Sequence, residues 1–581
     1  MGPIPKEMHR RVGLFLALLA AAFLTTTPAA GGATTRTFTF YGSGYGHGLG
    51  LSQWGAYGMA QQGKTYRQIL THFYKGTTVG EAPSAPWRLR IGLVQSKRVV
   101  HLTAVGGRVE LRLQGAHVAW IPEGKTWTVA ATSTGSYRVK DAAGAVVGGK
   151  TWGSTSHGLV VAHGVGATVK VGETGHSYKR GTIEFNVYRP CGGCAFRERL
   201  IAVLRPQLYL YGIGEVSSSW PTQSLQTQAV AARTYALEKV SRLGQHRPGC
   251  NCALYATTLD QNYVGWDKES GYLGSRWVDA VDRTAGQVVM YKGVLIQAYY
   301  HASSGGFTEN NENVWGGSPI PYLRGVCDPG DFTSANPVRT WTLTFTDAAL
   351  TTKLAKYTGS IGTVTGFSGA VRGVSGRIES ITVVGRADKA TITGGALRAA
   401  LGLRDRRVWI GSNRNVTGAI RARYDALMCA PGAAAGSQKA VPGGRRQAFA
   451  RGALYRNAAN ERVIWLRGAV FSRYVQLGDA SGSLGIPVSG TRRVTLPRGC
   501  RTYECSTTRF ANGGIYFKSA TGVGIHELHG ALYRYFRSLG GVRSRLGFPT
   551  SDLKLGAGGR TSATFEGGTI TCSGKGACSR S

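Results

Sequence analysis

The chain of 581 residues carries 69 Lys and Arg against 30 Asp and Glu, a formal charge of +39 at pH 7. That length calls for two to four domains, and a field of that size draws polyanions to the surface. No recognisable nucleic-acid-binding motif accompanies the charge, and beyond the N-terminus no apolar run is long enough to cross a bilayer, so a nucleic-acid reader and a membrane-spanning protein are both disfavoured. Gly is abundant (85 residues), and only 17% of residues are charged, which suits a β-rich chain with many turns.

Residues 1–33 read as a secretory signal. Lys6, Arg10 and Arg11 precede an apolar run at 12–24, and small residues at 28–33 suit cleavage. The mature protein is expected to be exported without a membrane anchor, an uncleaved signal anchor being the alternative. Residues 38–77 open with glycines at 42, 44, 46, 48 and 50, which allow positive φ and close approach of backbone to a ligand. His47 and Gln53 are polar groups offered from that loop, and Tyr45, Trp54 and Tyr57 are flat faces of the kind that sugar rings stack on. A tight glycine turn under a core is the plainer alternative. Helices are expected at 53–62 and 66–73. Residues 87–188 read as strands, among them 87–94, 99–105, 109–113, 126–131 and 168–171, with Val and Thr in alternation between glycine turns.

The stretch 212–237 carries one carboxylate, Glu215, among glycines, serines and Trp220. Pro221 then opens a helix whose Leu225, Ala229, Ala232, Ala236 and Val240 recur at helical spacing. Burial beside Trp220 would raise the proton affinity of Glu215 and suit it to general acid/base work; a loop Glu that caps the helix or pairs with an Arg is the bland alternative. Arg233 lies twelve residues past Pro221, about 18 Å along a helix, and is expected to be structural. Gln226 and Gln228 are nearer neighbours. Further on, Tyr263, the hydroxyls of Ser303 and Ser304 in a Ser-Ser-Gly-Gly turn, and Thr308 are candidate substrate contacts. A triad of Ser304, His301 and Asp328 lacks a strained nucleophile turn. A strand is expected at 378–384 and a helix at 395–403.

Ten cysteines in an exported chain point to disulfides. Close pairs are Cys191/Cys194, Cys250/Cys252, Cys500/Cys505 and Cys572/Cys578, with Cys327 and Cys429 left over. The sequence does not fix the connectivity. Cys191, Cys194, His246, Cys250 and Cys252 also form a candidate zinc set, against which stands the loss of thiolates in an oxidising compartment. Oxidation there would pin the strand before Glu215 to the loop after its helix.

Residues 430–446 read as a flexible linker. Beyond it, Gly468-Ala469-Val470-Phe471 and Leu484-Gly485-Ile486-Pro487 recur as Gly530-Ala531-Leu532-Tyr533 and Leu546-Gly547-Phe548-Pro549, both offset by 62 residues. Phe449, Phe510 and Phe565 each open a strand-like stretch.

Glu215 placed five residues before Trp220-Pro221, followed by Gln228-Ala-Val-Ala-Ala-Arg-Thr-Tyr-Ala236, resembles the signature of the SpoIID/LytB (stage II sporulation protein D) family. The block Gly46-His47-Gly48 through Ser52-Gln53-Trp54-Gly55-Ala56 resembles one that usually closes that domain; here it opens the mature chain, which implies a circular permutation and requires it to fold back beside Glu215. The C-terminal repeats resemble LGFP wall-binding repeats. The resemblances imply an α+β fold: a β-rich SpoIID-like domain with a central helix at 34–425 (38–77, the permuted segment; 87–188, the β-rich part; 189–412, the catalytic part), then a small β- and loop-rich repeat domain at 447–581. They imply a secreted, cell-wall lytic transglycosylase in which Glu215 is the one acid/base, acting on peptidoglycan glycan strands and forming 1,6-anhydro ends without a cofactor, with structural zinc as the variant seen in some members. A conventional glycosidase needs two carboxyl groups, for which only distant residues such as Asp260 and Glu309 offer themselves. Implied partners are anionic cell-wall polymers, bound through exposed aromatics and basic residues, and a wall amidase, with no nucleic acid. The alternative within the family is a non-catalytic wall-binding or amidase-enhancing protein.

Overall fold

The computed structural model describes residues 35–164, 166–496, 505–519 and 523–581. The expected leader and Cys500, with its proposed partnership to Cys505, lie outside them. The fold is α+β and rich in strands.

The helix Thr222–Leu243 is the centre of the main core. It is buried without a break from Ser224 to Glu238, on every side rather than along one stripe. Ala229, Ala231, Ala232 and Ala236 keep its girth small, so the helices Gln53–Gln61, Tyr66–Phe73 and Gly274–Asp282 and the strand Gln287–Tyr291 all pack directly on it. Gly244, at φ 73°, ends it. Two antiparallel-dominated sheets share this core. One has seven strands, running from the short Leu254–Tyr255 through Leu89–Lys97 and Arg197–Leu204 to Ala116–Ile121; the other has five and contains Val99–Val105 and Thr126–Ala131. Alternation of buried and exposed residues in Val99–Val105 matches the sequence pattern that predicted it.

The N-terminal strand Thr37–Gly42 does not join those sheets. It lies between Trp341–Thr346 and Val408–Ile410, with Phe40 opposite Leu343 on one side and Ile410 on the other. Phe40 is thereby part of a second core with Trp341, Leu350, Ile378 and Leu397. The chain then crosses to the main core: Leu51–Ser52 pairs in parallel with Tyr300–His301, and Ser52 caps the helix Gln53–Gln61. Gly58 on that helix lies against the backbone of residue 330, and a Cβ there would come 2.1 Å from the Gly330 carbonyl oxygen. Gly58→Ala is therefore expected to destabilise the protein by about 1–3 kcal/mol, read as a shift of the chemical-unfolding midpoint at constant slope.

The C-terminal region is built from three units, not two. Each has a short helix (Gly418–Ala426, Gly468–Gln476, Gly530–Ser538) followed by a four-stranded antiparallel sheet. The isolated bridges Ala434↔Phe449, Pro487↔Phe510 and Pro549↔Phe565 recur at the same place in each unit. The stretch 430–446, expected as a linker, instead carries the strand Lys439–Val441 and the start of Gly444–Phe449, because Ile420, Tyr424, Phe449 and Leu454 need a shared core. Phe449 and Phe565 end strands and Phe510 directly follows one, rather than opening them, and all three are buried, so they offer no aromatic surface to a polymer.

Four disulfides are formed among the described residues: Cys191–Cys194, Cys250–Cys252, Cys327–Cys429 and Cys572–Cys578. The first two are local, so the expected staple between the strand before Glu215 and the loop after its helix does not exist. They also overturn the zinc alternative: all four sulfurs are bonded in pairs, and His246 Nδ1 bonds the Asn251 side chain at 2.8 Å.

Candidate active site

Glu215 stands on a short loop between the helix Pro206–Tyr211 and the central helix. Backbone pairing of Gly214 with Asn262, and of Ile213 with Tyr263, sets its position. Its Oε1 accepts the Asn262 N–H at 2.7 Å and the Tyr300 hydroxyl at 3.1 Å. Burial pushes its proton affinity up; the bonds from Asn262, Tyr300 and Gln53 pull the other way, and the net is a carboxyl raised above the usual range. Tyr300 is oriented in turn. Gln261 Nε2 donates to the Tyr300 oxygen at 2.9 Å, which leaves the Tyr300 proton to Glu215, and Tyr209 donates to Gln261 Oε1 at 3.0 Å.

The carbonyls of the loop after Glu215 are held by cations. Lys268 Nζ donates to the Val216 oxygen at 2.5 Å, and Arg276 donates to those of Ser218 and Trp220, each at 3.0 Å. Burial lowers Lys268 to about 8. Trp220 meets Trp54 at 4.6 Å and Tyr57 at 5.2 Å between ring centroids. The N-terminal glycine block is thus folded back onto the Glu215 loop, as its expected position required.

Glu215, Gln53, Tyr300 and His47 line one open cleft of about 800 Å³, with Tyr299, Trp315, Asp260 and Arg398 further along its walls. Trp315 is 55% exposed and Leu259 73% exposed, giving the cleft apolar faces beside its polar end. His47 Nδ1 accepts the Leu49 N–H at 3.0 Å. Burial, helped by Arg377, Arg398 and Arg406, lowers its pKa to about 3 against a bond to the Tyr300 backbone, so it is a neutral imidazole. Gln53 Nε2 bonds Gln228 Oε1 at 3.3 Å, which places Gln228 behind Gln53 rather than in the cleft lining.

The remaining carboxylates are committed. Asp260 is buried, yet Lys239, the Tyr255 N–H and Arg247 hold it below the usual range. Glu309 accepts from Ser375, Val374 and Asn313 and is fully buried. Arg233 is structural: it is buried and donates to the carbonyls of Gln287 and Val281.

Several expected contacts are corrected. Tyr263 is 3% exposed and stacks between Tyr178 and Tyr209, because the pairing with Ile213 turns it inward. Its predecessor Asn262 faces Glu215. Ser303 and Ser304 are fully buried and bond Asp331 and Asp328 at 2.9 and 2.7 Å. Thr308 is buried too and accepts the Val326 N–H. These hydroxyls satisfy buried carboxylates and backbone instead of meeting a ligand. Trp54 spends its ring on Trp220 and Tyr57. Tyr300 and Asn262 were missed, although both adjoin residues that were singled out; the register of one short bridge decides which neighbour faces the cleft.

Residues 197–291 match the family model described as Stage II sporulation protein. The chain is 37% identical over 139 residues to the amidase enhancer of Bacillus subtilis, a stretch that is 24% of this chain and 17% of that protein. It is 33% identical over 160 residues to stage II sporulation protein D of the same organism, 25% of this chain and 44% of that protein. A protein of Brachyspira hyodysenteriae described as uncharacterized is 36% identical over 143 residues, 25% of this chain and 36% of its own length. The chain thus spans less than half the length of each of these relatives. The segment that holds Glu215, the central helix and Asn262 therefore lies within the stretch that is similar to the Stage II sporulation protein family.

Proposed function

We propose that this protein is an exported peptidoglycan lytic transglycosylase with Glu215 as its single acid/base. The observation that carries the reading is electrostatic: Glu215 faces the cleft with a raised proton affinity, while Asp260, the other carboxylate on its wall, is locked as an anion by two cations. One acid suffices for an intramolecular reaction. Protonated Glu215 gives its proton to the glycosidic oxygen, the C1–O4 bond breaks, and the glucosaminyl part leaves with a 4-hydroxyl. The carboxylate then takes the proton of the muramyl 6-hydroxyl as that oxygen bonds to C1. A 1,6-anhydro ring forms, Glu215 is again protonated, and no water is consumed. Tyr300 and the Asn262 N–H steady the transient carboxylate, and Trp315 offers a face for a sugar ring.

The test is mass analysis of products from purified wall, with intact and with peptide-free glycan. Anhydro ends support the reading. Hydrated reducing ends would point to a hydrolase, and absence of cleavage with wall binding retained would support a wall-binding or amidase-enhancing protein, the reading that similarity to the Bacillus subtilis amidase enhancer favours. Tyr300→Phe removes a hydroxyl that stabilises the charged form of Glu215. It is expected to lower turnover about tenfold and to move the alkaline limb of the pH profile to higher pH, since the proton is then held more tightly.

Two structural parts belong to the same proposal. The glycine block at 38–77 is a circularly permuted piece of the SpoIID-like domain (34–425), which accounts for its strand lying between late strands. The C-terminal units, similar in motif to LGFP repeats, tether the enzyme to the wall.

A further inference from the structure

The three C-terminal units share a register, so equivalent positions at successive junctions can be compared. At the junction of the second and third units, Arg473 of the second helix bonds Asp552 at 2.5 Å, and Glu527 stands beside them with its backbone N–H on the same Asp552 carboxylate. At the junction of the first and second units, Arg423 occupies the place of Arg473, Gly490 the place of Asp552, and Trp465 the place of Glu527. Both carboxylates are gone and the arginine is kept. The result is an open groove of about 780 Å³, walled by Arg423, Arg462, Arg467 and Arg493 with Trp465 and Phe517. No carboxylate among the described residues lines it. Arg423, Arg462 and Arg467 are exposed. The indole of Trp465 is fixed by its N–H bond to the Arg451 carbonyl at 3.0 Å, and the Arg467 guanidinium lies 4.5 Å from its ring centroid.

We propose that this groove binds an anionic polysaccharide, its carboxylate or phosphodiester groups on Arg423, Arg462 and Arg467 and a sugar ring beside Trp465. Planar guanidinium groups recognise both kinds of oxyanion, and several cations converging on a groove hold a polymer better than scattered surface charge. The ligand takes the place of the carboxylates that the second junction supplies from within the chain. That it is a glycan rests on the wall reading above; that it is an anion rests on the groove itself.

Binding is measured by calorimetry on the full chain with polygalacturonate, a phosphodiester-bearing mannan (phosphomannan), neutral dextran and duplex DNA, at two salt concentrations. The variant Arg423→Gln/Arg462→Gln/Arg467→Gln is expected to weaken binding to the preferred polyanion by more than about tenfold. Gly490→Asp restores the carboxylate of the second junction; nothing lies within 4 Å of where its Cβ would sit, and it is expected to weaken binding about tenfold by pairing Arg423 internally. A control of equal charge, Arg534→Gln/Arg543→Gln/Arg560→Gln on exposed positions elsewhere, is expected to weaken it less than about threefold. Circular dichroism confirms folding of all three. Whichever polysaccharide binds tighter identifies the anionic group. Equal loss in the control means a general field and overturns the site; unchanged binding in both groove variants means that the arginines only guard the sheet edge; tighter groove binding of DNA than of either polysaccharide overturns the glycan assignment. Every variant keeps Glu215, so failure here leaves the cleavage assay untouched.

Discussion

Replacing Glu215 by Gln is expected to lower glycan cleavage by about 10²–10⁴-fold, the usual contribution of a positioned proton donor, while leaving wall binding intact. The amide keeps the shape and still meets the Tyr300 hydroxyl, but it has no proton to give to the leaving oxygen. The same substitution has a signed effect on stability. Glu215 holds its proton more tightly folded than unfolded, so its contribution to stability is fully present below the unfolded carboxyl pKa and is lost as pH rises through the folded one. Gln carries no such loss. At neutral pH the variant is therefore expected to be at least as stable as the parent, and below pH 4 no advantage should remain. In the parent, the same titration removes the general acid, so turnover falls on the alkaline side of the Glu215 pKa. Initial rates and melting temperatures of both proteins across the pH range check each part. A Glu215→Gln protein that still releases anhydro ends at the parental rate would end the assignment.

Loss of the Cys327–Cys429 bridge is expected to cost about 4–5 kcal/mol, since it closes a loop with a sequence separation of 102 residues and so restrains the unfolded chain strongly. The consequence is not confined to the C-terminal units. Cys327 pairs with Phe307 in the strand-like stretch after the Ser303–Ser304 turn, its carbonyl bonds His72, and its neighbour Asp328 holds Ser304. The bridge thus fastens the end of the first C-terminal helix to the buried stretch that carries the Asp328–Ser304 bond. Cys327→Ala/Cys429→Ala is expected to unfold at a markedly lower denaturant midpoint. Cys191→Ala/Cys194→Ala, which opens a separation of only 3 residues, is expected to lose far less. Chemical unfolding of the two variants side by side checks this; equal midpoints would show that the long loop is already ordered by packing.

Much of the site was legible because its signals are local. Glu215 before Trp220-Pro221 and a small-residue helix is a contiguous pattern. The strands at 99–105, 109–113, 126–131 and 168–171 were readable from alternation and agree with the structure. The first C-terminal unit escaped because Ala433-Ala434 replaces the Ile-Pro and Phe-Pro of its fellows, although Gly418-Ala419 and Tyr424 keep the register of Gly468-Ala469 and Tyr474. Ser303, Ser304 and Thr308 misled for a general reason: hydroxyls in a glycine turn serve a ligand or a buried carboxylate equally well, and here Asp328 and Asp331 sit beneath them.

The residues alone determined that an acidic side chain would precede a tightly packed helix, that the flanking segments would be strands, and that the end of the chain would repeat, because each of these follows from spacing within a few turns or one pleat. Tertiary structure decided the partners of Glu215. Tyr300 and Asn262 reach it only because Leu51–Ser52 pairs with Tyr300–His301 and Gly214 pairs with Asn262, and contacts between segments tens to hundreds of residues apart are set by the packing of the whole core, not by any window of sequence.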